Sequence, residues 1–155
     1  MELKKITPSG LGYRMPAEWE KQEATWLAWP HNGETWPGKV GEVQESFVKF
    51  AHAIHIGQKV EVLVNNEGEK TAASSKMSAA GIDLRRVAFH NIANVDTWLR
   101  DYGPSFVVNP HADDKLAMVK WTFNAWGNKY DDLKRDNGVP YEMNKSLKLP
   151  LFEPG

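Results

Sequence analysis

The chain of 155 residues contains no cysteine. That excludes disulfides, thiolate-held zinc and any cysteine nucleophile supplied by these residues. It also has almost no net charge: 19 Lys+Arg against 20 Asp+Glu leave −1. No long-range field therefore draws it to a nucleic-acid backbone or an anionic membrane, and neither partner is expected. No apolar run approaches the roughly 18 residues that span a bilayer, and Met1–Lys5 leads into no signal-peptide core. A cytoplasmic location is expected. Phosphate loops are missing, since Gly33, Gly38 and Gly41 form neither G-x-G-x-x-G nor G-x-x-x-x-G-K-S/T. What is abundant is tryptophan, with seven residues. Trp19, Trp26, Trp29 and Trp36 form one zone; Trp98, Trp121 and Trp126 form another. Each is expected to pack, and the two zones together suggest a shared aromatic pocket.

The length fits a single domain, and no linker or low-complexity stretch divides it. Residues 1–18 read as a leading loop without period. Ala24–Trp29, stopped by Pro30, reads as a strand. Val40, Val43, Phe47, Phe50, Ala51 and Ile54 recur by threes and fours, the stripe of an amphipathic helix that Gly57 ends. Lys59–Val64 switches to β-branched residues and predicts a strand. Asn66 is placed to cap a second helix running to Ala80, with Gly81 at its C-terminal cap. Its apolar face is thin, which puts it on the outside. Val87–His90 predicts a third strand, so the order is that of an α/β protein. Ser105–Asn109 and Leu116–Trp121 read as a hairpin, Thr122–Tyr130 as loop, and Pro140 as the first turn of a last helix carrying Met143 and Leu147.

Two segments could carry chemistry. Asp96-Thr97-Trp98-Leu99-Arg100-Asp101 puts two carboxylates, an indole and a guanidinium within six residues. In an extended segment Asp96, Trp98 and Arg100 share one side and Asp101 the other. A carboxylate beside an aromatic face suits a planar cation, which takes hydrogen bonds in its plane and π contact above it. Equally, Arg100 could pair with Asp96 or Asp101 and merely tie the loop down. His31 sits in a loop beside aromatics and is a candidate for lining a site. His52 and His55 stand at i, i+3 without a third ligand, and no metal is expected.

The motifs add more than composition does. Met15-Pro16-Ala17-Glu18-Trp19-Glu20 with Ala24–Pro30, then Asp96-x-Trp98-x-Arg100-Asp101-x-Gly103-Pro104, then Phe123-Asn124-x-Trp126-Gly127-x-Lys129-Tyr130, resemble the agmatine deiminase family, which groups with the bacterial-type peptidylarginine deiminases. The resemblance runs over nearly the whole chain. It implies a pentein fold, a fan of ββαβ-type modules around a central site, of which this α/β chain holds the first modules. It also implies hydrolysis of agmatine to N-carbamoylputrescine and ammonia, a step toward putrescine, with no cofactor or metal. In that family a cysteine thiolate attacks the guanidinium carbon, a histidine handles protons, and carboxylates grip the guanidinium nitrogens. Asp101 matches the guanidinium-binding carboxylate. Asp96 and Trp98 match neighbouring pocket positions, and Trp126 and Asn124 fall in a motif expected near the site.

The departures from the family pattern are large. Its Glu-Gly-Gly motif, His-x-Asp motif and C-terminal cysteine have no counterpart in these residues. The expectation is a chain that carries the guanidinium-binding part and, by itself, has no deiminase activity. Open strand edges and apolar faces further suggest a homo-oligomer or association with a polypeptide that carries the C-terminal half. The alternative is a non-catalytic guanidinium- or polyamine-binding module, or an assembly module.

Overall fold

The computed structural model describes residues 7–154; Met1–Lys5, read above for a signal core, lie outside them. Three strand segments rich in β-branched or aromatic residues and two helices build the first half. Strand β1 (Ala24–Ala28) leads to helix α1 (Val40–His55), strand β2 (Lys59–Val64), helix α2 (Glu67–Ala79) and strand β3 (Val87–Asn91). The three strands form one parallel sheet in the order β1-β2-β3. Asn66 caps α2 by accepting from the Glu69 amide, and Gly81 closes it at φ 80°. Left-handed backbone of that kind costs glycine little.

The alternation of the strands divides the core. Val60, Val62 and Val64 point to α1 and α2 and pack with Trp29, Val48, Ala51, Ala73 and Met77. On α2 only Ala73 and Met77 are buried, so it is the outer helix expected. Ala28 and Leu63 point the other way, into a second cluster with Leu99, Tyr102, Met118 and Met143. A sheet with both faces covered needs apolar residues on both, which explains the continuous Val/Leu run of β2.

The second half begins with a one-turn helix α3 (Leu99–Tyr102). Strands β4 (Ser105–Val108) and β5 (Leu116–Val119) form the expected antiparallel hairpin. Helix α4 (Val139–Leu147), with Pro140 in its first turn, returns the chain to β6 (Leu151–Phe152), parallel to β5. This is a ββαβ unit, beside the β1–β3 unit. The leading segment is more structured than its sequence suggests. It makes a 3-10 turn at Ser9–Leu11, and Arg14 pairs with Val108 at the edge of β4. Tyr13 closes the far face of that sheet over Val107, Ala117 and Val119. No helix among the described residues is long and apolar enough to cross a membrane.

Candidate functional site

Turns at the ends of the strands converge on an open cleft of about 630 Å³, bounded by Asn32, Thr35, Trp98, Trp126 and Tyr130. Trp36 from the first tryptophan zone meets Trp98 with ring centroids 6.0 Å apart, and Trp98 meets Trp126 edge to face at 6.0 Å. Trp126 continues the cluster to Phe123 and Tyr130. The shared aromatic pocket therefore exists, built from three of the seven tryptophans. The others serve elsewhere: Trp29 is buried against Phe47, Trp26 stacks on His90, Trp121 donates to Ser105 and Trp19 is exposed.

The Asp96–Asp101 segment is not extended. Trp98 precedes the turn of α3, so Arg100 and Asp101 leave Asp96 behind rather than alternating with it. The short i+3 and i+4 bonds of that turn, Asp101 N–H and Tyr102 N–H to the Trp98 carbonyl, replace the β-period the sequence suggested. Arg100 joins neither aspartate. It points outward to Glu18 at 3.3 Å, an exposed pair that contributes little. Asp101 is exposed, beside Trp126 of the cleft wall. Its carboxylate accepts the Trp126 indole N–H at 3.3 Å and has no cationic partner among the described residues.

Asp96 lines the cleft from a buried position. Its carboxylate accepts the Trp98 indole N–H at 3.0 Å, the Thr97 amide at 2.8 Å and the Thr35 hydroxyl. Three donors satisfy the charge without a cation. Asp96 was expected in the pocket lining, and it does line the cleft, where its carboxylate also fixes Trp98. Asn124 is likewise spent locally, accepting the Gly127 amide at 2.8 Å.

The Thr122–Tyr130 stretch, read as plain loop, contains a left-handed helical turn. Ala125, Trp126, Gly127 and Asn128 have φ of 52°, 53°, 79° and 66°. Three of these are not glycine, and each such residue costs roughly 1–2 kcal/mol. Strain of this size persists where the surroundings hold it, and here it turns Trp126 toward Trp98 and Asp101.

A residue that sequence reasoning missed supports this whole corner. Asp136, on the 3-10 segment Asp132–Gly138, is buried and accepts the Val95 amide at 2.6 Å and the Asp96 amide at 3.1 Å. Burial, opposed by these two bonds and reinforced by the charge of Asp96, pushes its carboxyl up to about 6. Nothing in the local sequence marks it, because its partners lie some 40 residues away. His31, the other loop candidate, is held by the Trp29 carbonyl at Nδ1 and the Asn65 amide group at Nε2. Asn65 also accepts the Asn94 amide, so these side chains bind the strand ends together.

The raised Asp136 carboxyl has a signed consequence for stability. Its contribution is fully present below the ordinary aspartate value of 3.8 and is lost as pH rises through about 6. Glu20 and Asp83, held near 2 by Arg14 and Arg85, act in the opposite sense and in a lower window. Urea unfolding at a series of pH values should show wild-type stability rising relative to Asp136→Asn between about pH 6 and 4 on acidification. Parallel profiles for the two proteins would contradict this.

Two small three-stranded modules, with an aromatic cleft beside them, make a partial pentein fold. The model of the Porphyromonas-type peptidyl-arginine deiminase family matches residues 14–155, and the chain belongs to that family. It is 36% identical over 137 residues to the agmatine deiminase of Stutzerimonas stutzeri, covering 86% of this chain and 35% of that protein. The solved agmatine deiminase of Enterococcus faecalis superposes with a TM-score of 0.83 at 30% identity, covering 96% of this chain and 39% of the other. A substrate-bound Cys-to-Ser form of the C. jejuni agmatine deiminase gives 0.74 at 27% identity, with 92% and 40% covered. The chain thus spans little more than a third of the length of the relatives it matches, and corresponds to their N-terminal part.

Proposed function

We propose that this chain forms the guanidinium-gripping side of an agmatine deiminase-type hydrolase site. The observation that carries the reading is Asp101: an exposed carboxylate without a cationic partner among the described residues, steadied by the indole N–H of Trp126, a wall of the cleft. A guanidinium there would take two hydrogen bonds from its edge to Asp101 while its face meets an indole. Trp98 and Trp126 act as walls. Asp96 sets Trp98, and Asn124 holds the turn that presents Trp126. Glu34 and Asp132 also border the cleft, against one lysine, Lys129. That surplus of negative charge favours agmatine, which carries a second cationic group, over a peptidyl-arginine.

Hydrolysis of a guanidinium in this family needs a thiolate to add to the central carbon and a histidine to deliver a proton to departing ammonia. With no cysteine among its 155 residues, this chain offers no such nucleophile. It contributes orientation: a planar cation held edge-on by a carboxylate and flat against an indole exposes its carbon for attack from the open side. The reading makes the chain one single-domain part of a site that a second polypeptide segment completes. Calorimetric titration tests it. Agmatine should bind and putrescine, which lacks the guanidinium, should not; equal heats from both would overturn the assignment.

A further inference from the structure

The cleft has two walls from distant parts of the chain, and one dipeptide touches the backbone behind both. Asp136 accepts the amides of Val95 and Asp96, three and two residues before Trp98. Asn137 accepts the Phe123 amide at 2.9 Å, immediately before the left-handed turn that carries Trp126. The same Asn137 oxygen accepts the ammonium of Lys120 at 2.9 Å, a buried cation that lies over the Tyr141 ring. We propose that Asp136 and Asn137 are the positioning residues of the cleft, setting the Trp98 and Trp126 walls relative to each other through those two backbone segments.

The two members work differently. Asn137 is neutral, and its hold does not change with pH. Asp136 holds two N–H groups with two oxygens, which a carboxylate does well and a protonated carboxyl does poorly, since one oxygen then carries a hydrogen. The groups that bear on its ionisation are Asp96, which disfavours it, and His31, which favours it; Tyr102 lies in the field of both aspartates. Its proton-accepting range near 6 falls where mild acidification loosens the Val95–Trp98 turn while the fold itself gains stability. The ionised clamp serves the site at the expense of the fold.

The consequence for affinity rests on the guanidinium reading above; the clamp itself does not. Amide spectra of the ¹⁵N-labelled chain test the clamp without any ligand. The Val95 and Asp96 signals should titrate together with a midpoint near 6, and Asp136→Asn should abolish that step. Asn137→Ala should shift the Phe123 amide and the Trp126 indole signal while leaving the Val95 titration in place. Agmatine affinity of the wild type should fall by about tenfold between pH 7 and 5, roughly one charge-assisted hydrogen bond. Asp136→Asn should bind at that lower level at both pH values, with its cooperative unfolding intact. A flat Val95 profile in the wild type, or undiminished affinity in Asp136→Asn, would overturn the proposal. Titrating amides in a chain that binds no agmatine would uphold the clamp and sink the guanidinium reading.

Discussion

Replacing Asp101 with asparagine is expected to lower agmatine affinity by about a hundredfold while leaving the fold intact. The carboxylate presents two equivalent oxygens and a full charge to a guanidinium. Asparagine keeps one acceptor and no charge, so two charge-assisted bonds, about 1.5–3 kcal/mol each, shrink to one neutral bond. The fold should not notice, because Asp101 is exposed and its side chain makes one long bond, from Trp126 at 3.3 Å. Asp96 is the useful contrast. It is buried and serves three donors, so Asp96→Asn is expected to lower stability and binding together. Calorimetry beside thermal unfolding separates the two. An Asp101→Asn protein that binds agmatine like the wild type would remove Asp101 from the site.

The second large effect is steric. A methyl group on Gly103 would fall on the Leu99 carbonyl oxygen and 3.1 Å from the Leu99 side chain. The cause is close approach rather than unusual backbone, because φ at Gly103 is −70°. Relief is difficult: the Gly103 amide donates to that same carbonyl at 2.8 Å, Pro104 stiffens the exit, and Leu99 is packed in the core with Tyr102. Gly103→Ala is expected to cost about 1–3 kcal/mol in urea unfolding and to move α3, carrying Asp101 out of line. Gly33, with open space where a methyl would sit, is the control, and Gly33→Ala should stay within about 0.5 kcal/mol of wild type. Equal stability of the two alanine variants would contradict this.

Regular elements were legible because their periods are local. The threes and fours of Val40 to Ile54, the β-branched run of Lys59–Val64 and the Asn66 and Gly81 caps each state their structure within a few residues. The site was legible only as a set of motifs. Trp126 meets both Trp98 and Asp101, but how Asp96 and Asp101 are disposed depends on α3, a single turn too short to show a period. The left-handed turn at Ala125–Asn128 was hidden for a similar reason: only one of its four residues is glycine, so tertiary contacts impose a conformation that propensity disfavours. Asp136 and Asn137 were silent because each meaningful contact spans 14 or more residues. The absence of cysteine is the fact of composition that bears most on the proposed function, because under it these residues would hold a guanidinium and supply no thiolate.

That proposal is open to one direct measurement: agmatine binding and ammonia release followed on the same sample of the 155-residue chain, its intact mass verified. The expected result is saturable binding that Asp101→Asn weakens about a hundredfold, with no ammonia above the uncatalysed background. Ammonia release by the chain at its verified mass would contradict it, because no thiolate is there to attack the guanidinium carbon.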